Sequence, residues 1–373
     1  MRMKFLWYSD KEVRSYLCQK QQKIVTEHEF GSENYNNLYK MNKFFSSKPG
    51  GMIHDTSNHV SHPFNVVTDI QYQFENCNLS FGEISLKTAK KIVDGTTKPI
   101  AVCWSGGIDS TVALTALLQV TSPDRIVVVL NENSIEEYPN FYQDIIKNRI
   151  ATLTHRQWLD QLDNFYTVSG DAGDTVWAVI DDSFWNQHHQ NFNTPWRDWI
   201  IPSSNSPSVE FIEEFCSWSG TKIHTVLELR TWFYLCCKWQ DKAMLFFSRT
   251  PGITPLSGNG FYNLNNDFRV WTMNNLDKII GNSWQDYKIP AKEFINDFHK
   301  DTNWFATKTK VYSASIDLET TMQMILDDHC TFAISDDYKS HSFKSWPFVD
   351  PVYMEDWNDQ YDLWPKQLFE PTQ

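Results

Sequence analysis

The run Ile100-Ala101-Val102-Cys103-Trp104-Ser105-Gly106-Gly107-Ile108-Asp109-Ser110 constrains the fold of this chain more than any other. Its first five residues are apolar without alternation, the pattern of a strand buried on both faces. From Ser110 to Val120 the apolar residues Val112, Ala113, Ala116, Leu117 and Val120 follow helical spacing. Arg125 to Leu130 (RIVVVL) is a second buried, β-branched run. Strand, glycine turn, helix and strand make a βαβ unit, and such units build parallel sheets covered by helices. An α/β fold with a doubly wound parallel sheet is expected.

The turn between the first strand and its helix has the chemistry of an anion cradle. Gly106 and Gly107 carry no Cβ, so backbone N–H groups can approach an oxyanion closely. The new helix adds unpaired N–H groups and the positive end of its dipole. Ser105 and Ser110 supply hydroxyl donors, and Asp109 can hold Mg²⁺ or cap the helix. Two familiar phosphate turns do not fit: no lysine precedes Ser110 as in GxxxxGK[ST], and the adjacent glycines do not make GxGxxG. By the general rule for open α/β sheets, a ligand should lie at the carboxyl ends of the strands. Cys103, Trp104, Leu130 and Asn131 are therefore ligand-contact candidates.

A second strand-to-helix turn follows. Phe165 to Val168 runs into Ser169-Gly170-Asp171-Ala172-Gly173-Asp174-Thr175. Asp171 and Asp174 are three residues apart and can face one ligand. Two carboxylates beside a polyphosphate require neutralising cations, which points to Mg²⁺. Taken alone, the segment also fits an Asx turn with Asp174 as helix cap.

Composition narrows the classes. The net charge of −13 opposes non-specific coating of nucleic acid. Sixteen Trp and 25 Phe are incompatible with a disordered chain. Seven cysteines, an odd number without a CxxC pair, fit neither a disulfide framework nor a zinc ribbon and are expected as reduced thiols. No apolar stretch approaches the ~18 residues of a membrane span. A soluble, cytoplasmic protein without a membrane partner is expected.

Ser105 to Ser110, SGGxDS between a strand and a helix, resembles the PP-loop of the ATP pyrophosphatases, a Rossmann-like group that includes asparagine synthetase, argininosuccinate synthetase, GMP synthetase and tRNA-thiolating enzymes. The resemblance implies ATP and Mg²⁺ as ligands, cleavage between the α- and β-phosphates, transfer of AMP to an acceptor oxygen and release of pyrophosphate. Residues 169–175 are similar to the SGExSDE segment of asparagine synthetase and β-lactam synthetase. By that resemblance Gly170 belongs to the pyrophosphate site, Asp174 matches the acidic residue that holds Mg²⁺-pyrophosphate, and Asp171 matches a glutamate near the acceptor. Asp171 is one methylene shorter than that glutamate, and Thr175 replaces a second acidic residue. Residues 304–313 are similar to the basic loop that carries the family's catalytic lysine, which makes Lys308 and Lys310 candidates. Such a cation would act on charge that develops as the α–β bond breaks.

The resemblance covers roughly residues 96–320. Residues 1–95 are expected to form an amino-terminal extension of unassigned role, and residues 321–373 a segment packed on the synthetase domain. Asparagine synthetases begin with a glutaminase whose nucleophile is the cysteine after the initiator Met. Here residue 2 is Arg, so the nitrogen source is expected to be ammonia, an amine, an internal nucleophile or a partner. The favoured expectation is an AMP-forming ligase that makes an amide or another C–N bond on a small-molecule acceptor: an amino acid, an amine or a nucleotide. Two alternatives stay open. One is thiolation or amination of a base in tRNA, DNA or a nucleotide, favoured by the basic first 51 residues (nine Lys/Arg against five Asp/Glu). The other is a non-catalytic nucleotide-binding module. A homo-oligomer is compatible with all three.

Overall fold

Ile100–Trp104 forms a strand because its backbone pairs on both sides and its apolar side chains are covered on both faces. The computed structural model describes residues 33–45, 55, 57, 59, 60, 77–130, 133–170, 173–177, 189–200, 206–237, 258–279, 288–308, 331–333 and 340–342. Within these, α1 spans Glu33–Phe45, α2 Phe81–Gly95, β1 Ile100–Trp104, α3 Ile108–Val120 and β2 Ile126–Leu130. Broken helical turns between Ser134 and Ile146 lead to β3 (Ala151–Thr154) and β4 (Tyr166–Ser169). Next come α4 (Gly173–Val176), α5 (Val209–Ser217), α6 (Val226–Cys237) and β5 (Gly258–Gly260). Then follow α7 (Asp267–Asn274), α8 (Ile289–His299), α9 (Thr302–Thr307), β6 (Thr331–Ala333) and β7 (Ser340–Ser342).

β1 to β5 form one sheet in the order 3-2-1-4-5, every pair parallel. The chain winds from β1 outward through β2 to β3, then returns to the other side of β1 for β4 and β5. The winding direction reverses between β1 and β4, and in open α/β sheets the crevice at that reversal is the ligand site. The α/β class and a Rossmann-like strand order are thus present, in a small sheet whose fifth strand has only three residues. β6 and β7 form a separate antiparallel pair, and they are the only described part of 321–373.

Two apolar clusters organise the described residues. The first surrounds the sheet and includes Val102, Trp104, Val112, Leu117, Val128 and Val168, with Ile84 and Ile92 of α2 and Ile295 of α8. α3 is buried on nearly all sides between the sheet, α2 and α8, which matches its uniformly apolar sequence. α2 carries a capping box, Ser80 accepting from Glu83 N (3.3 Å) while Glu83 accepts from Ser80 N (2.8 Å). α2 thereby contributes Phe81, Ile84, Ala89 and Ile92 to the core around the sheet. The second cluster joins Leu38, Met41 and Phe45 of α1 to Phe211, Phe215, Trp232 and Phe233 of α5 and α6.

No described helix is long and apolar enough to cross a membrane. The five described cysteines, Cys77, Cys103, Cys216, Cys236 and Cys237, are free thiols.

Candidate nucleotide site

The first turn is held open by its own hydrogen bonds. Ser105 N donates to Ser110 Oγ (3.1 Å), the two serine hydroxyls are 3.0 Å apart, and Ser110 Oγ donates to Gly107 O (3.1 Å). Thr111 Oγ1 also donates to Gly107 O (2.8 Å) and accepts from Trp104 Nε1 (2.9 Å). Gly106 has φ +78°, the left-handed region, and a Cβ there would meet Ser134 O and come 2.6 Å from Glu137 Cβ. Only glycine fits this corner. The turn delivers the chain into α3, whose first amides, Ile108, Asp109 and Ser110, have no acceptor within the helix.

The second turn lies directly on the first. A Cβ on Gly170 would be 2.6 Å from Ser110 N and 2.9 Å from Asp109 C. A Cβ on Gly173 would be 2.6 Å from Asp109 Oδ1. The Gly170 contacts are backbone and cannot give way, and those of Gly173 are with the Asp109 side chain that Lys288 and Trp177 hold in place, so both glycines favour the close approach of the two turns. The strand register explains the meeting: Cys103, two residues before the first turn, pairs with Ser169, just before the second.

Three charged side chains converge there. Lys288 Nζ donates to Asp109 Oδ2 at 2.5 Å and to Asp174 Oδ1 at 2.9 Å. Lys288 precedes α8 with φ 57°, and its side chain is 4% exposed, against 20% for Asp109 and 48% for Asp174. Trp177 Nε1 donates to Asp109 Oδ1 (3.2 Å) and Tyr262 OH to Asp109 O (3.2 Å). Burial pushes the Asp109 acid above its ordinary value; Lys288 pulls it back and the Asp174 charge adds to the rise. Burial, with the two aspartates, also raises the Tyr262 hydroxyl.

A third element borders the loop. Glu137, whose stem lies against Gly106, accepts an ion pair from Lys308 Nζ at the end of α9.

Ser105, Gly106, Gly107, Asp109, Ser110, Gly170 and Asp174 are therefore together at the reversal point, with Lys308 at its border. Leu130 ends β2 opposite Trp104, and Cys103 is half-buried beside them. The Trp104 ring is 1% exposed and stacks on Phe141 at 5.9 Å, so the ring lies in the core. Asn131, Asp171 and Lys310 lie outside the described residues. Lys288 was missed by sequence reasoning because its partners are 114 and 179 residues away. Gly258-Asn259-Gly260, turn-like in composition, is the edge strand β5.

The donor set fits a hard divalent cation. Two aspartate oxygens already share one cation, and Mg²⁺ is commonly held by one or two carboxylates completed by substrate phosphates and water. Among the described residues there is no cluster of three or more His, Cys, Asp or Glu, so an all-protein metal cage is not present there. No family model and no curated protein matches this chain.

Proposed function

We propose that this chain is an ATP-dependent, AMP-forming ligase of the PP-loop ATP pyrophosphatase kind. Its two glycine turns resemble those of the synthetase domain of asparagine synthetase. The observation that carries this reading is the contact of the two turns at the point where the sheet's winding reverses, with Asp109 and Asp174 on one shared cation.

On this reading the amides at the start of α3 and the hydroxyls of Ser105 and Ser110 bind the β- and γ-phosphates. Asp109 and Asp174 would hold Mg²⁺, which supplies charge neutralisation on the phosphate oxygens. Lys288 brings a second positive charge to the same carboxylates and keeps them close before any ligand arrives. Lys308 is at the rim of the loop, where it can stabilise charge growing on the departing pyrophosphate. The acceptor oxygen, from an amino acid, amine-bearing acid or nucleotide, attacks the α-phosphorus, and a nitrogen nucleophile then displaces AMP. Asp171 is the proposed acceptor-side carboxylate.

The test is product analysis with MgATP across a panel of amino acids, amines and nucleotides. AMP and pyrophosphate in equal amounts are expected with the right acceptor. ADP and phosphate as the only products would reject the proposal.

A further inference from the structure

Glu137 has no role in the chemistry proposed above, yet its position is over-determined. Its Cβ and Cγ lie where a side chain on Gly106 would go, and its carboxylate holds the Lys308 ammonium. Both side chains are well covered, 23% exposed for Glu137 and 8% for Lys308. The backbones on either side are cross-linked. Tyr138 stacks on Trp304 with centroids 4.4 Å apart and planes 4° apart. Tyr138 OH is 3.0 Å from His299 Nδ1, and His299 Nε2 is 3.1 Å from Asp144 Oδ2. Asn140 Nδ2 donates to Asp301 Oδ2 (2.9 Å), while Asp301 Oδ1 caps α9 at Trp304 N (2.9 Å). Lys308 itself donates its N–H to Trp304 O (2.8 Å) and accepts at its carbonyl from Lys292 Nζ (3.2 Å). With both main chains fixed, the soft part of this assembly is the Lys308 stem.

We propose that Glu137 is a positioning residue that parks the Lys308 ammonium beside the phosphate loop and yields it to the polyphosphate of an incoming nucleoside triphosphate. This rests on the functional reading above and deepens it. A single carboxylate holds the lysine in the free protein. Even with Mg²⁺ bound, a polyphosphate carries more net negative charge than one carboxylate and is the stronger partner, so the ammonium transfers by rotation of its stem. Glu137 is then left as an uncompensated negative charge near the loop. It therefore weakens nucleotide binding while ensuring that the lysine is on hand for the step that needs it. Removing the charge should tighten ground-state binding and slow the chemistry, the signature of an interaction that does not serve both states equally. A purely structural glutamate would not produce that split.

The test compares wild type with Glu137→Gln and Glu137→Asp. Amine acylation of the nucleotide-free proteins, read lysine by lysine by mass spectrometry, should find Lys308 protected in wild type and several-fold more reactive in E137Q. Magnesium α,β-methylene-ATP should bind E137Q about three- to tenfold tighter than wild type, with E137D returning toward the wild-type value. Pyrophosphate release by E137Q should fall. Equal Lys308 reactivity in wild type and E137Q, or unchanged or weaker analogue binding by a folded E137Q, would overturn the inference. ADP as the only wild-type product would sink the functional reading alone, and no analogue binding to wild type would sink both.

Discussion

Gly170→Ala probes the contact on which the site depends. The new methyl carbon would be 2.6 Å from Ser110 N and 2.9 Å from Asp109 C and Ser110 Cα, where ordinary contact begins at 3.4 Å. The neighbours are backbone at the start of α3, so the strain cannot be relieved by turning a side chain. Relief needs the two turns to separate by about 0.8 Å, the shortfall against that contact distance. Overpacking of this kind costs about 1–3 kcal/mol, or several degrees in Tm at roughly 2–4 °C per kcal/mol. The same shift moves Asp109 relative to Asp174, and a misplacement approaching 1 Å can reduce turnover about 100-fold. Gly95→Ala is the control, because a Cβ there meets nothing within 4 Å. It should leave Tm unchanged or raise it slightly. Differential scanning fluorimetry and a pyrophosphate assay would read both variants. If G170A melted within about 1 °C of wild type with unchanged turnover, the reasoning about touching turns would be wrong.

Other expectations follow from the same geometry. Lys288→Ala removes the ammonium that Asp109 and Asp174 share; it should destabilise by about 1–3 kcal/mol, less than a fully buried pair because Asp174 is half exposed. Added Mg²⁺ should restore Tm in Lys288→Ala, and much less so in Lys288→Ala with Asp174→Asn; equal recovery in both would refute the shared cation site. Asp109→Asn should lower pyrophosphate release at least about 100-fold while leaving the circular dichroism unchanged, checked by single-turnover kinetics. Alkaline pH should destabilise the fold. Burial pushes the Cys216 thiol up to about 12 from 9.0, and it also raises Cys236, Tyr166 and Tyr262. These groups keep their protons longer when folded, so the folded state binds more protons and stability falls as pH rises through about 9 to 12. Urea unfolding at pH 8 and pH 10 would measure it, and equal midpoints would contradict it.

The legible parts were those with a local signature. β1, α3 and β2 follow from apolar runs and helical spacing around two adjacent glycines. β4 and the second turn follow from Tyr166–Ser169 ending in small and acidic residues. β3 has no such signature: Ala151-Thr152-Leu153-Thr154 is an exposed edge, so it lacks the apolar run of a buried strand. β5 reads as a turn because Gly258-Asn259-Gly260 has turn composition, and only pairing with β4 makes it a strand. α2 carries a readable mark, the Ser80–Glu83 capping box. The site divides in the same way. Both glycine turns and their aspartates are local patterns, whereas Lys288 and the Glu137–Lys308 pair exist only through contacts more than a hundred residues apart. Asp267 likewise pairs with Lys87, 180 residues away, at 2.6 Å.

The most direct measurement is a crystal structure with Mg²⁺ and α,β-methylene-ATP. The account predicts the β- and γ-phosphates against the amides at 106–110, the metal between Asp109 and Asp174, and the α-phosphorus open toward β4 and the second turn. A triphosphate bound elsewhere, or a metal that ignores both aspartates, would contradict it.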